Sequence, residues 1–394
     1  MYYLGIDVGK NNHEAGLIKE DGAHVGKSLR FSNTLEGFER LLLFLEQRLP
    51  EQEVFCIGME ATGHYWLALY SFLRDQGFDL HVINPIQSDS LRNFHIRKQK
   101  TDAVDCFLVA EVIRFGKFSE THLADEDILV LRNLARFRES LKDSCANYKR
   151  HVVTVLDQVF PEYAALFSNI FGESSRAFLK TYGTPEQTID VDTKSLAALL
   201  RKASRGRHGT DKARELKSLA ARSVGLTLCS DAFAFQIRIL IEQIEFTEKQ
   251  IDEIDKKIAV QLKKLSSVIL SIPGVGPATG AIILGEIGDI SRFSNPKKLV
   301  AFAGIDPTSF QSGNYVGQHN RLSKKGSPYL RRAVWMSALI AVRCDPVFKA
   351  FYEKKRDEGK AHGTALGAVS RKLLYTIHAV LKANKPYEVR PQGA

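Results

Sequence analysis

The sequence predicts an α/β N-terminal domain followed by a mainly helical remainder, and three observations carry that prediction. Strand-like and helix-like runs alternate over the first hundred residues, the apolar spacing turns almost entirely helical after Lys100, and an isoleucine heptad runs from Ile237 towards Leu265. With 394 residues the chain exceeds a single hydrophobic core. Its 44% hydrophobic and 25% charged residues are those of a globular protein, which excludes wholesale disorder and a membrane-embedded chain.

Strand patterns fall at Tyr2 to Val8, Ala15 to Ile18, Val54 to Met59 and Leu80 to Ile83, with helical patterns at Leu35 to Leu49 and Trp66 to Asp75 between them. Together they define an α/β domain over 1–125. From Asp102 to Phe160 the spacing is helical and carries Arg132, Arg136, Arg138, Lys142, Lys149 and Arg150, as in a basic arm. Gly206-Arg207-His208-Gly209, inside the basic run Arg201 to Arg222, reads as a flexible cationic connection. Ile244, Ile251, Ile258 and Leu265 recur every seventh position, with Leu240 and Ile254 on the neighbouring seam. Such a helix pairs either with the earlier arm or with a second copy of the chain, so 126–265 is a helical, coiled-coil segment. Beyond it, 266–394 is a compact Gly-rich region closing in helices that end near Asn384.

Lys and Arg number 55 against 45 Asp and Glu, a net charge of +10 that favours a polyanionic partner, nucleic acid first. The five cysteines show no paired spacing typical of zinc or redox sites. The chain opens directly on an apolar strand, without a leader or a membrane-length apolar run, and a bacterial-type cytosol, in contact with the nucleoid, is the expected location.

The chemistry concentrates at two places. Asp7 lies in Gly5-Ile6-Asp7-Val8-Gly9 at the end of the first strand, Glu60 ends the strand Val54 to Met59, and Asp102 and Asp105 share one helix face at i and i+3. Four such carboxylates can hold two hard divalent cations about 4 Å apart, which suits phosphodiester cleavage; magnesium is the expected metal. Singly, each has a duller reading as a cap, turn or solvated residue. Their order resembles the ribonuclease-H-like fold of RuvC-type junction resolvases. A rival from another class is the first phosphate loop of sugar kinases and actin-like ATPases, which Gly5-Ile6-Asp7-Val8-Gly9-Lys10 also resembles; the second phosphate loop that family needs is missing.

The second place is C-terminal. Ile272-Pro273-Gly274-Val275-Gly276-Pro277 resembles a helix-hairpin-helix, in which backbone N–H groups around Gly274 and Gly276 bind phosphate; without its basic setting a plain Gly-Pro turn joining two core helices would read equally well. Further on, Phe310-Gln311-Ser312-Gly313-Asn314 precedes Leu322-Ser323-Lys324-Lys325-Gly326-Ser327-Pro328, where Ser327 is a good N-cap and Pro328 a good first-turn residue. A serine facing that cationic helix terminus can attack a phosphodiester. Ser309, Ser323 and Ser327 are equally available on residue chemistry alone.

Asp7, Glu60 in Glu60-Ala61-Thr62-Gly63-His64-Tyr65, the pair in Thr101-Asp102-Ala103-Val104-Asp105, and the Pro307 to Arg331 stretch together resemble the insertion-sequence 110 family of DEDD transposases, which includes the Piv-type invertases. The resemblance spans nearly the whole chain. It implies a recombinase in which Asp7, Glu60, Asp102 and Asp105 bind metal and Ser312 forms a covalent phosphoserine link to DNA. It further implies a homo-oligomer, dimer to tetramer, acting on two DNA duplexes, and an element-encoded guide RNA. Arg321, Lys324, Lys325 and Arg331 are candidates for phosphate neutralisation. Cys106 stands where the family pattern usually has alanine. A junction-resolving nuclease, which needs no serine, and a DNA-architectural protein with a dead metal site are the other readings.

Overall fold

The computed structural model describes residues 1–49, 55–61, 63–83, 88, 91, 102–116, 125–308, 311–312, 315–316 and 321–389, with backbone only for Asp102 and for residues 311, 312, 315 and 316. The chain divides into two compact units, Met1–Leu123 and Ala124–Ala394.

The first unit runs β1 (Tyr2–Val8), β2 (Asn12–Lys19), β3 (Leu29–Ser32), α1 (Leu35–Arg48), β4 (Phe55–Glu60), α2 (Trp66–Asp75), β5 (Leu80–Ile83) and α3 (Asp102–Arg114). The sheet order is β3-β2-β1-β4-β5. β1–β2 and β2–β3 pair antiparallel, while β1–β4 and β4–β5 pair parallel. That mixed sheet is the ribonuclease-H-like, RuvC-like domain expected from the order of the carboxylates. β3 is not legible in the sequence, because Leu-Arg-Phe-Ser is too short to show a period.

Strand alternation sorts the two faces of the sheet. Leu4, Ile6 and Val8 are buried in one cluster with Phe38, Leu41, Leu45, Leu69 and Leu73 of α1 and α2. Gly5, Gly16 and Gly58 face α3 on the other side.

Among its described residues, the second unit has helices and one short pair of strands as its regular elements. It contains α4 (Glu126–Val159), α5 (Glu173–Thr181), α6 (Pro185–Asp190), α7 (Thr193–Ala203), α8 (Thr210–Ala220), α9 (Ser230–Leu265), α10 (Pro277–Ile287), α11 (Pro296–Ala303), β6 (Gln311–Ser312), β7 (Tyr315–Val316), α12 (Pro328–Cys344), α13 (Pro346–Asp357) and α14 (His362–Ala383). The heptad helix α9 finds its partner in the same chain. Asp127 accepts from Gln261 (3.1 Å) and Lys264, Arg138 forks onto Asp255 (2.5 and 3.1 Å), and Lys149 reaches Glu248 (2.7 Å), the register of an antiparallel pair with α4. Ile244, Ile251, Ile254 and Ile258 are buried, and Leu265 packs partly buried against the core.

Gly206-Arg207-His208-Gly209 lies in the turn between α7 and α8, and the rest of the basic run Arg201 to Arg222 is largely helical. Its apolar residues Ala213, Leu216 and Ala220, with Leu200 just before it, are buried in the cluster that packs α7 and α8 against the long helices. The turn between α7 and α8 is tied by Ser204 Oγ, which accepts from the His208 amide at 2.7 Å. Charge had masked an amphipathic helix pair.

At its other end the α4–α9 pair enters a second core. Leu131, Ala135, Ile258 and Leu262 share one apolar cluster with Ile283, Leu330, Val334, Leu373 and Ile377. Ser327 caps α12 as expected, accepting from the Leu330 amide at 3.1 Å, with Pro328 in the first turn. Its hydroxyl also donates to Glu286 (2.7 Å), a buried carboxylate that Arg136 grips with two bonds of 2.6 and 2.9 Å.

Candidate active site

The N-terminal site is built on a row of glycines. Gly5 pairs with Gly16 on β2 and with Gly58 on β4, so three adjacent strands present no side chain at one level of the sheet. α3 fills the space. A Cβ on Gly5 would stand 2.0 Å from the Cys106 carbonyl oxygen and 2.3 Å from the Ala110 nitrogen, and one on Gly16 would stand 2.7 Å from the Phe107 ring. The helix is therefore seated directly on the backbone of the sheet.

One pleat further along, the same face carries acids. Asp7 pairs with Glu14 on β2, and Ile6 pairs with Met59, so the next residues of those parallel strands are Asp7 and Glu60. Glu14, Asp7 and Glu60 thus occupy neighbouring positions on the face that α3 covers. The first turn of α3 approaches the same place: the Cys106 thiol is pushed up to about 12 by its burial, then by the charges of Glu14 and Asp7. Asp105, next to it, is buried. The side chain of Asp102 lies outside the described residues; its backbone opens α3 one turn before Asp105.

Donors hold two of these carboxylates. Ser88, itself buried, donates to Glu60 Oε2 at 2.8 Å, and Ser28 donates to Glu14 Oε1 at 2.5 Å. Directly opposed like charges destabilise a sheet, so such a row persists where a cation or donors offset it. An all-oxygen donor set of this kind suits a hard divalent ion such as magnesium. Glu14 and Ser88 were missed in the sequence. Glu14 lies in mid-strand and carries no motif, and only the antiparallel register with Asp7 brings it to the site.

In the second unit the segment around Ser312 is closed off at its base. Thr308 donates its amide to the Arg321 carbonyl (2.8 Å), Ser323 donates its amide to the Asp306 carbonyl (2.8 Å), and Pro307 bridges Leu322. Between these flanks β6 and β7 pair, with Ser312 opposite Tyr315. The Ser312 side chain and residues 309–310 lie outside the described residues.

Two rival serines are occupied structurally: Ser323 Oγ donates to Asp306 Oδ1 (2.5 Å), and Ser327 is the cap that also binds Glu286. Arg321, Lys324 and Lys325 are exposed beside the hairpin flank, Lys324 in a left-handed conformation with φ +53°. Arg331 is engaged locally, donating to the Ala303 carbonyl at 3.2 Å.

The predicted helix-hairpin-helix has a short first limb, a single 3-10 turn over Val268–Ser271. Gly274 is required by its φ of +81° and by α12, because a Cβ there would meet the Ser337 carbonyl at 2.2 Å. The Gly276 amide donates to Thr279 Oγ1 at 3.0 Å, so it is spent inside the turn.

Comparisons with known proteins follow the same two regions. A model of the DEDD transposases of IS110, described as "Transposase", matches residues 4–161, and one described as "Transposase IS116/IS110/IS902 family" matches 266–353. The chain is similar to a mini-circle putative transposase for IS117 of Streptomyces coelicolor, 25% identical over 98% of this chain and 95% of the other. It is also similar to the pilin gene-inverting protein of Moraxella bovis, 23% identical over 98% of each. A structure of T. thermophilus RuvC in complex with a Holliday junction substrate aligns with 30% of this chain and 99% of that one, at 13% identity and a TM-score of 0.23.

Proposed function

The chain belongs to the IS110 family of transposases, enzymes that act on DNA, and we propose that it cuts and rejoins DNA with Ser312 as nucleophile and Asp7, Glu60, Asp102 and Asp105 as a divalent-metal cluster. The observation that carries this reading is the glycine-seated helix that brings the acidic row of β1, β2 and β4 to the first turn of α3. Magnesium held there would neutralise charge building on the phosphate and lower the pKa of a bound hydroxyl.

The remaining work falls to the chain itself. Ser312 Oγ forms a bond to phosphorus as the bond to the departing strand oxygen breaks, so the number of phosphodiester linkages is conserved and rejoining needs no outside energy. The closed base at 306–308 and 321–323 fixes where the hairpin emerges. Arg321, Lys324 and Lys325 stand beside it for phosphate neutralisation, while Gly276, exposed and with open space where a Cβ would stand, offers a close approach to duplex DNA.

A structured guide RNA and a homo-oligomer, dimer to tetramer, complete the reading. The exposed Arg205 and Arg207, with His208, line a cleft of about 500 Å³ in the helical arm, suited to holding phosphates by shape and charge. Among the described residues no helix is long and apolar enough to cross a membrane, and the proposed location is the nucleoid-containing cytoplasm.

The test is a denaturant-resistant protein–DNA adduct. Wild type, incubated with magnesium and DNA carrying the ends of its element, gives an adduct that maps by peptide sequencing to Ser312, and Ser312→Ala abolishes it. Strand cutting that persists undiminished in Ser312→Ala without any adduct would overturn the serine role in favour of a junction-resolving nuclease.

A further inference from the structure

At the opposite end of β4 from Glu60, Cys56 lies among different chemistry. The β4–β5 register pairs Ile57 with Leu80, so Cys56 and Asp79 are the preceding residues on adjacent strands, and the Ile57 amide donates to the Asp79 carbonyl at 3.2 Å. His81 is two residues beyond Asp79 and therefore on the same face. The thiol sulfur, one carboxylate oxygen and one imidazole nitrogen of these three residues all lie within 4.8 Å of one another.

We propose that Cys56, Asp79 and His81 form a second metal site, for a zinc-class transition ion, distinct from the carboxylate cluster. Bonds of about 2.0–2.3 Å in a tetrahedral site put ligand atoms about 3.3–3.7 Å apart. His81 Nε2 and Asp79 Oδ2 already stand 3.4 Å apart. The sulfur then needs to close by about 1 Å at most, within reach of a side-chain torsion. Asp79 is largely exposed and His81 half-buried, which leaves the fourth position open to water.

Donor type separates this site from the acidic row. A thiolate and an imidazole select zinc-class ions, whereas carboxylates alone suit magnesium. Distance separates them as well, because four residues of strand from Cys56 to Glu60 span about 13 Å. Such an ion clamps the start of β4 to β5, the strands on which Glu60 is mounted. The inference stands on the sheet register and holds whether or not the serine chemistry does.

The experiment uses the full chain, reduced and stripped with chelator, then titrated with Co²⁺ and challenged with Zn²⁺. The expected result is one equivalent of Co²⁺ giving a near-ultraviolet thiolate-to-cobalt band and the visible spectrum of a tetrahedral ion, both discharged by Zn²⁺. The band persists in Asp7→Asn and in a Cys229→Ser, Cys344→Ser double variant, whose thiols are the exposed ones. It vanishes in Cys56→Ser, and His81→Ala weakens Co²⁺ binding at least about tenfold. A wild-type chain that gives no thiolate band, or a band that survives Cys56→Ser, overturns the proposal. The wild-type spectrum decides even if a variant fails to fold.

Discussion

Adding one methyl group at Gly5 tests how the site is assembled. In Gly5→Ala the new carbon would sit 2.0 Å from the Cys106 carbonyl oxygen and 2.3 Å from the Ala110 nitrogen. Both are backbone atoms, so no side-chain rotation relieves the clash, and α3 must retreat by about 1.4 Å to restore ordinary contact. Retreat opens the packing of Val109, Val112 and Ile113 against Ile83. Overpacking of this kind costs about 3 kcal/mol, only partly offset by the stiffer unfolded chain. At about 4 °C per kcal/mol for a unit of this size, the unfolding midpoint falls by about 12 °C.

Gly58→Ala is the internal control. There the nearest atoms are Cγ2 and Cδ1 of Ile113, at 2.9 and 3.0 Å, the movable ends of a side chain, and the cost is about 1 kcal/mol. With the proposed metal cluster, chemistry suffers beyond stability, because α3 carries Asp102 and Asp105 away from Asp7. A displacement of about 1 Å lowers turnover on the order of a hundredfold, measured as magnesium-dependent strand cleavage at a temperature where the variant is folded. Thermal unfolding and the cleavage assay are run on both variants. A Gly5→Ala midpoint within about 2 °C of wild type, with full cleavage, would refute the close seating of α3.

Three further outcomes follow from the second unit. Ser327→Ala removes the α12 cap and the donor to Glu286, and lowers stability by about 1–2 kcal/mol in urea unfolding; no change would deny the cap its role. Lys324→Gly relieves a left-handed φ of +53° and removes a cation, so stability rises by up to about 1 kcal/mol while DNA affinity and its salt dependence fall. Unchanged affinity in a salt titration would remove Lys324 from the interface. Burial pushes the Glu248 carboxyl up, but the hydrogen bonds and charges of Arg176 and Lys149 outweigh it and hold the group below its ordinary 4.5. Its contribution to stability is therefore complete above about 4.5 and lost as pH falls through the lowered value. Glu248→Gln flattens that acid limb in a pH series of unfolding curves, and an unaltered limb would count against the ion pairs.

What the sequence settled by itself is what short-range physics controls. The period of two in β1, the Ser327–Pro328 helix start and the α9 heptad all appear where the residues put them, because strand alternation, capping and helical pitch act within a few positions. The positions of Asp7 and Glu60 at strand ends, and of Asp102 and Asp105 in the first turn of a helix, were legible because local pattern sets where elements begin and end.

Tertiary structure decided the partnerships. The heptad fits α4 of the same chain as well as it would fit a second copy, and the choice rests on pairs such as Arg138–Asp255, far apart in sequence. The run from Arg201 to Arg222 is dense in charge, yet Ala213, Leu216 and Ala220 within it, with Leu196 and Leu200 just before it, suffice to bury one face each of α8 and α7. Glu14 reaches the acidic row, and Cys56 reaches Asp79 and His81, only through strand register. Register is set by which faces become buried when the whole sheet packs, and no local window of sequence contains that information.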